Sequence, residues 1–275
     1  MSTPTILLTG LTFGESPRWH QGRLWLCDWA QGEIIAVDLD GKSAVMARVP
    51  TFPFCIDPLP DGRLLVVAGG DARVLIQEDG ELRPYAELGS LSTKPWNEIV
   101  VDARGNAYAN CIGFDFPGGE FAPGIVALVR PDRTVTAVAD GLAFPNGMAI
   151  TDAGATLVVA ESYAAQLTAF DIEPDGGLAN RRVWADLGEG AAPDGICVDR
   201  EGAIWYADVP NRRCVRVREG GEVLRTVNVE LGCFSCALGG DNEDTLFLVV
   251  NDWTDPQMMS GRTGQVLTVP TGSES

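Results

Sequence analysis

One phrase recurs six times along the chain: an apolar strand, a turn that contains glycine, and a second apolar strand. The copies begin at residues 15, 55, 97, 146, 194 and 235, so successive starts lie 40, 42, 49, 48 and 41 residues apart. A repeat of this length matches a four-stranded propeller blade, and its strands follow too closely for a parallel sheet with crossover helices. The repeat therefore predicts an all-β chain folded as a six-bladed β-propeller.

A second set of turns indicates how many strands each copy contains. These turns lie in the first five copies and read DLDGK, QEDGE, RPDRT, EPDGG and REGGE. Each of these copies therefore has two hairpins and four strands. The sixth shows three strands and ends in GQVLTVP (264–270), so we predict that the N-terminal strand TILLTG (5–10) supplies its outer strand and removes the open edge. We expect a single domain over residues 1–275.

Composition agrees with short strands and limits the possible partners. The 275 residues include 32 Gly and 17 Pro, which is typical of many tight turns. The formal net charge of −18 repels phosphate backbones and anionic membranes. We therefore expect a small-molecule substrate, no nucleic acid and no membrane partner, and a monomer or a small homo-oligomer.

The first residues and the cysteines bear on the compartment. MSTPTILLTG lacks the basic start and apolar core of a signal peptide, and no run of 18 apolar residues occurs, so we expect a cytoplasmic protein. The seven cysteines lie mostly in apolar runs, where free thiols behave as small apolar side chains. Cys233 and Cys236 form one CxxC without a second ligand pair, so we expect reduced, buried thiols.

The residue that opens each copy points to a shared site. In a propeller the first strand of a blade lies nearest the axis, so these residues are expected at one mouth of the central channel. They are Glu15, Cys55 (or Phe54), Asn97, Asn146, Asp194 and Ser235. Carboxylate and amide oxygens are hard ligands that suit Ca²⁺, Mg²⁺ or Mn²⁺. They match poorly a zinc site, which is built from His and Cys. The alternative is that Asn-Gly and Asp-Gly only shape turns, but their common repeat phase favours a site.

Loops between the second and third strands of each blade return to the same face and are expected to line the pocket. Their polar and aromatic residues are Asp28, Trp29, Phe114, Asp115, Glu120, Glu161, Ser162, Tyr163, Asp208, Asn211, Asp252 and Trp253. The segments 112–124 and 251–262 exceed a tight connection. We interpret them either as covers over a substrate or as ordinary surface loops.

The chain contains one histidine, His20, in the first hairpin and therefore on the opposite face. Ser-His-Asp or Cys-His catalysis and a His-rich zinc site are disfavoured. Neither a GxSxG elbow nor a phosphate-binding GxxxxGK[ST] loop occurs. A general base must come from a carboxylate or from a water on a metal ion.

Five motifs resemble the senescence marker protein, gluconolactonase and luciferin-regenerating-enzyme family, also called the regucalcin family. They are GESPRW (14–19), FPNGMAIT (144–151), PDGICVD (193–199), IWYAD (204–208) and CALGG (236–240). They occur in family order over nearly the whole chain. The resemblance implies a six-bladed propeller and metal-dependent hydrolysis of sugar lactones or other cyclic esters.

The resemblance also implies roles for individual residues. It implies that Glu15, Asn146 and Asp194 hold one divalent metal ion, that Asp194 is also catalytic, and that Asn97 contacts the substrate or a water on the metal ion. Calcium is the expected ion, with Mg²⁺, Mn²⁺, Fe²⁺ and Zn²⁺ as alternatives.

One departure from the family pattern concerns the substrate. Family members that act on aldonolactones often carry an Arg two residues before the Asn that matches Asn97, whereas this chain has Pro95 there, followed by Trp96. The departure favours a more apolar substrate. The side chains predicted to contact it are Asn97, Trp96, Phe114, Asp115 and Glu120.

We therefore expect hydrolysis of a lactone, with a metal ion on the carbonyl oxygen and Asp194 orienting or deprotonating the water. Three alternatives stay open. They are an organophosphate or aryl esterase with the same kind of ion, a calcium- or small-molecule-binding propeller without turnover, and a strictosidine-synthase-like propeller with a catalytic Glu and no essential metal. A substrate panel, metal-dependent release of acid, and activity after exhaustive chelation separate them.

Overall fold

The structure is a computed structural model that describes residues 3–151, 154–254 and 256–272. Within these residues the strands form six four-stranded sheets, which confirms the predicted six-bladed β-propeller. Three predicted features include residues outside these described ranges. The fourth hairpin includes residues 152–153, the segment 251–262 includes residue 255, and the domain over 1–275 includes both termini; these positions lie outside the described residues.

Each sheet is one blade, and its strands follow the chain from the axis outwards. The chain enters through β1 (Thr5–Leu11). Blade one follows as β2 (Gly14–His20), β3 (Arg23–Asp28), β4 (Glu33–Val37) and β5 (Ser43–Arg48). Blade two consists of β6 (Phe54–Pro58), β7 (Leu64–Ala68), β8 (Arg73–Glu78) and β9 (Glu81–Glu87). Blade three consists of β10 (Trp96–Val101), β11 (Ala107–Cys111), β12 (Gly124–Val129) and β13 (Val135–Leu142).

The second half of the chain repeats the arrangement. Blade four consists of β14 (Pro145–Ile150), β15 (Thr156–Glu161), β16 (Gln166–Ile172) and β17 (Leu178–Asp186). Blade five consists of β18 (Pro193–Val198), β19 (Ile204–Asp208), β20 (Arg213–Val217) and β21 (Val223–Asn228). Blade six takes β22 (Gly232–Gly239), β23 (Thr245–Asn251) and β24 (Gly264–Pro270) from this end of the chain.

The N-terminal strand completes blade six, as predicted. β1 pairs antiparallel with β24, from Thr5 opposite Thr268 to Leu11 opposite Gly264. Leu11 is 3% exposed and belongs to an apolar cluster with Leu24 of blade one and Phe247 of blade six. The seam is therefore closed by a ladder of backbone hydrogen bonds and by side chains from both neighbouring blades.

The core lies between the blades. A buried apolar cluster fills each interface between consecutive blades, as between β6–β8 and β10–β12 or between β14–β16 and β18–β20. The inner strands β2, β6, β10, β14, β18 and β22 contact one another in a ring. This packing brings the starts of six blades to one place around the axis.

The seven cysteines are free, and all but Cys197 are buried, as predicted. Among the described residues no helix has the length and apolarity needed to cross a membrane.

The closure of the ring predicts a contrast between two residues of β1. Leu11→Ala is expected to lower the free energy of unfolding by about 2–4 kcal/mol, because it leaves a cavity between two blades. Ile6→Ala on the same strand is the control, since Ile6 is 57% exposed, and it should cost less than about 0.5 kcal/mol. Urea unfolding followed by tryptophan fluorescence measures both values. Equal losses would contradict the packing of β1.

Candidate functional site

The inner strands are bulged at the level of the predicted polar residues. A bulge interrupts the pairing of β2 beyond Glu15, and others fall at Asn97 in β10, Asn146 in β14 and Asp194 in β18. A bulge leaves an extra residue outside the ladder and redirects its side chain. It therefore frees Asn97, Asn146 and Asp194 from the alternation that would otherwise send them into the cores between blades, whereas Glu15 still pairs with Cys27 just before its bulge.

The pairing corrects the prediction for blade six, and in blade two both candidates are core residues. Asn97 is the unpaired residue of its bulge, and in blade six the corresponding unpaired residue is Phe234. Ser235, predicted for this position, is the next residue and is buried. In blade two the candidates Cys55 and Phe54 are both buried, and Phe54 belongs to the core between blades one and two. The polar side chains at the bulged positions therefore come from the other four blades.

Close packing explains the glycines that follow two of the polar residues. A Cβ on Gly147 would lie 2.4 Å from the carbonyl oxygen of Asp194, and one on Gly195 would lie 2.6 Å from Cβ of Ser235. Both φ angles lie outside the left-handed region. The Asn-Gly and Asp-Gly pairs therefore reflect the approach of neighbouring inner strands, and the alternative that they only shape turns is wrong.

A chain of hydrogen bonds connects the polar side chains of blades three, four and five. Nδ2 of Asn97 donates to Oδ1 of Asn146 at 2.9 Å. Nδ2 of Asn146 donates to Oγ of Ser162 at 3.3 Å, and Ser162 donates to the carbonyl of Pro193 at 2.7 Å. The side chain of Asn146 also hydrogen-bonds to Asp194. The amides are thereby held in fixed orientations beside Asp194.

At the site the carboxyl group of Glu15 is buried and that of Asp194 is half-buried, and neighbouring carboxylates act on both. Burial, together with the neighbouring Asp194 and Glu98, raises the pKa of Glu15 well above its usual value. Burial and Glu98 likewise raise the pKa of Asp194, although its hydrogen bond from Asn146 acts in the opposite direction. We call Glu15, Asn97, Asn146 and Asp194 the polar ring. It concentrates negative charge without a cationic side chain among its own members.

A largely buried ion-pair network joins the inner strands of blades one, two and three beside the polar ring. Arg18 donates from Nε to Asp57 at 2.6 Å and from Nη2 to Glu98 at 3.0 Å. Asp57 also accepts from the backbone N–H of Val101 at 2.7 Å. A cavity of about 300 Å³ lined by Arg18, Asp57 and Met148 extends towards the hairpin face and is separate from the polar ring.

Sequence reasoning missed this network. Its signal is visible in the sequence as Arg18 within GESPRW and Glu98 after Asn97, charged residues inside otherwise apolar strands. Charges in such positions are normally paired across the interior.

The donor set of the polar ring is mixed. Among the described residues no group of three or more His, Cys, Asp and Glu side chains is arranged to hold a metal ion. The polar ring offers the two carboxylates of Glu15 and Asp194, with amide oxygens from Asn97 and Asn146 as further donors. An ion held here would therefore rely on oxygen from both carboxylates and amides.

The four other predicted substrate contacts lie in different surroundings. Trp96 is fully buried between blades two and three and donates from Nε1 to Ser92 O at 3.2 Å, so its indole is a core group rather than a pocket wall. Asp115 is exposed and pairs with Lys94 at 2.8 Å. Glu120 is also exposed. Phe114 is buried within the loop 112–124.

Three carboxylates predicted to line the pocket instead secure the backbone. Asp28 accepts from the N–H groups of Thr12 and Phe13, at 2.9 and 3.0 Å, just before Glu15. Glu161 accepts from Ala143 at 2.6 Å, and Asp208 accepts from Ala192 at 3.3 Å. Asp28, Glu161 and Asp208 are each at most 2% exposed. They position the segments that enter the inner strands, and the prediction that they face the pocket is wrong.

Comparison with known proteins identifies relatives along the whole propeller. Residues 13–251 match the family described as SMP-30/Gluconolactonase/LRE-like region. Regucalcin of Danio rerio is 24% identical over 249 residues, which cover 86% of this chain and 81% of that protein. The pentonolactonase XacC of Haloferax volcanii is 28% identical over 271 residues, covering 90% of this chain and 84% of that protein.

Solved structures share the fold. A calcium-binding protein, regucalcin, from Agrobacterium tumefaciens superimposes with a TM-score of 0.83 at 19% identity, covering 98% of this chain and 93% of its own. A gluconolactonase from Xanthomonas campestris gives a TM-score of 0.76 at 23% identity, covering 96% and 88%. Because the family match spans most of the propeller, the resemblance inferred from the motifs is confirmed: this chain belongs to the SMP-30/gluconolactonase/LRE-like family.

Proposed function

We propose that Glu15, Asn146 and Asp194 hold one divalent cation and that the protein hydrolyses a lactone to its hydroxy acid. The observation that carries the proposal is the polar ring, where the buried carboxyl group of Glu15, the half-buried carboxyl group of Asp194 and two hydrogen-bonded amides come together at the starts of the inner strands. Membership of a family that includes gluconolactonases supports the reaction class. Relatives named pentonolactonase and gluconolactonase support it further.

The polar ring suits a cation by charge and by donor type. Burial and mutual repulsion raise the pKa of both Glu15 and Asp194, so a positive charge between them would stabilise their ionised forms. Hard oxygen donors favour Ca²⁺, Mg²⁺ and Mn²⁺. We place Ca²⁺ first because the Agrobacterium relative is described as calcium-binding. Fe²⁺ and Zn²⁺ are weaker candidates for this donor set.

The residues of the polar ring divide the chemistry between them. When bound, a divalent cation would supply a Lewis acid that polarises the lactone carbonyl. Asp194 would orient a water molecule and accept its proton as the water oxygen bonds to the carbonyl carbon. The bond from that carbon to the ring oxygen then breaks, and the ring oxygen receives the proton. Asn97 would hold the substrate beside Asp194.

The one histidine in the sequence lies away from the polar ring, which supports a carboxylate as the general base. His20 ends β2 at the hairpin, where its Nε2 lies 3.1 Å from the carbonyl oxygen of Gly62. The polar ring lies at the other end of the same strand, near Glu15. His20 therefore cannot serve as the base, and Asp194 is the residue that we assign to proton transfer.

Cation binding should be measurable as thermal stability. Adding Ca²⁺ or Mn²⁺ to metal-stripped protein at a hundredfold excess over Kd should stabilise it by about 2.7 kcal/mol, which raises Tm by at least about 5 °C. Glu15→Gln should lose most of this shift because it removes a ligand charge. Glu81→Gln is the control, since that side chain is 74% exposed. Equal shifts in both variants would exclude Glu15 as a ligand.

Hydrolysis should depend on Asp194. A pH-indicator screen of sugar, aliphatic and aromatic lactones with each metal ion identifies the working substrate. On that substrate Asp194→Asn should lower kcat/KM by at least about 100-fold, because it removes the base and a ligand charge. Asp132→Asn, in the outer turn between β12 and β13, is a control that should retain the rate. Full metal binding together with an unchanged rate in Asp194→Asn would contradict the assignment.

A binding protein without turnover is the second candidate. The observation that favours it is the similarity to regucalcin of Danio rerio and to the Agrobacterium tumefaciens regucalcin, which is described as a calcium-binding protein. A calcium-induced rise in Tm without metal-dependent acid release from any lactone in the screen would support this candidate over the lactonase.

A further inference from the structure

A cluster of five aromatic rings lies beside the polar ring on blades three and four. Phe114 is its centre, with ring centroids 5.6 Å from Phe121, 5.7 Å from Phe144 and 6.0 Å from Tyr163. Phe116 lies 5.1 Å from Phe144, and Phe144 stacks on Tyr163 at 4.9 Å. We call these five residues the aromatic wall.

The aromatic wall has a buried base and an exposed surface. Phe114 and Phe144 are 4% and 9% exposed, whereas Phe116, Phe121 and Tyr163 are 53%, 51% and 57% exposed. Single exposed apolar residues are common on protein surfaces, but a contiguous group packed on a buried base marks a binding surface. The base fixes the position of the exposed rings, so a ligand meets a preformed apolar surface.

The backbone connects the aromatic wall directly to the polar ring. Phe144 lies two residues before Asn146, and Tyr163 follows Ser162, whose hydroxyl accepts from Asn146 at 3.3 Å. Backbone N–H groups of Ser162 and Tyr163 donate to the carbonyls of Phe144 and Ala143 at 3.0 and 3.1 Å. Phe144 has a φ of 58°, in the left-handed region that a bulky residue rarely adopts. Such strain is retained where the surrounding structure holds it, commonly at functional sites.

The segments that carry the aromatic wall contain no cationic side chain. Neither 112–124 nor 142–151 nor 161–166 contains Lys or Arg. Of their three carboxylates, Asp115 pairs with Lys94 at 2.8 Å, Glu161 is buried on Arg181 at 3.2 Å, and Glu120 is exposed. A polyhydroxylated substrate needs several polar partners when it leaves water. This side of the site instead offers ring faces and edges.

We propose that the aromatic wall binds the substituent of the lactone and selects lactones that carry an aryl or other large apolar group over polyhydroxylated sugar lactones. This inference rests on the proposed hydrolysis at the polar ring. The continuity of the aromatic wall with Asn146 and Ser162 identifies its occupant as part of the molecule that reacts at the polar ring. Tyr163 is next in sequence to Ser162, and we assign it the contact with the part of the substituent closest to the lactone.

The experiment compares kcat/KM for γ-phenyl-γ-butyrolactone, unsubstituted γ-butyrolactone and glucono-δ-lactone. The wild type should prefer the phenyl lactone to both others. Phe116→Ala, Phe121→Ala and Tyr163→Ala should each lower the ratio of phenyl to unsubstituted rates by about tenfold, the scale of one lost apolar contact in a pocket. Tyr163→Phe should keep the ratio, because it keeps the ring. Val183→Ala, on the outer strand of blade four, is the control because it removes an equally exposed apolar group away from the site.

Two kinetic outcomes would overturn the inference: a wild type that prefers glucono-δ-lactone, or alanine variants that lower the phenyl and unsubstituted rates equally. If the wild type opens no lactone, the proposed hydrolysis fails, and binding of the corresponding γ-phenyl lactam, whose amide ring resists opening, decides the question by calorimetry. Binding that weakens by about tenfold in Tyr163→Ala would support the aromatic wall without turnover. Absence of binding, or equal binding in Tyr163→Ala, would exclude the aromatic wall as a binding surface.

Discussion

The pairing of β1 with β24 is the constraint on which the site depends, because it turns a row of blades into a ring. Leu11 fills the seam between blades six and one, and a few residues later Glu15 opens the inner strand of blade one. Asp28 holds Thr12 and Phe13 from blade one, while Asn251 of blade six donates to the carbonyl of Thr12 at 2.9 Å. The segment that carries Glu15 is thus fixed from both sides of the seam. Without this closure, Glu15 would have no fixed relation to Asp194 in blade five.

The close packing of the ring brings several carboxyl groups near one another, and their repulsion is only partly offset by a positive charge. The inner strands approach one another closely at Gly147 and Gly195. The side chains next to these glycines, Asn146 and Asp194, are therefore held close together. Arg18 forms its ion pairs with Glu98 and Asp57, and its charge offsets only part of the rise in the pKa of Glu15. Burying Glu15 beside the half-buried Asp194 is costly unless a further positive charge offsets them. This repulsion is the physical reason why a divalent cation would bind at the polar ring.

The sequence is sufficient for the features that repeat. The hairpin turns recur in every blade, so the six sheets, the closing strand and the common phase of Asn146 and Asp194 could all be predicted. Features that depend on the direction of one side chain could not. Trp96 follows the alternation of β10 into the core, and one extra residue in β22 exchanges Ser235 for Phe234 at the channel mouth. A bulge is a local departure from the period of two, and no period in the sequence reports it.

The central claim is that one divalent cation lies on the channel axis between blades one, four and five. Crystals grown from metal-stripped protein and soaked in Mn²⁺ test it most directly through anomalous diffraction. We expect one strong anomalous peak within about 2.6 Å of carboxylate oxygens of Glu15 and Asp194 and of the amide oxygen of Asn146. A fully occupied peak elsewhere, or the absence of a peak at the polar ring under saturating Mn²⁺ and Ca²⁺ alike, would contradict it.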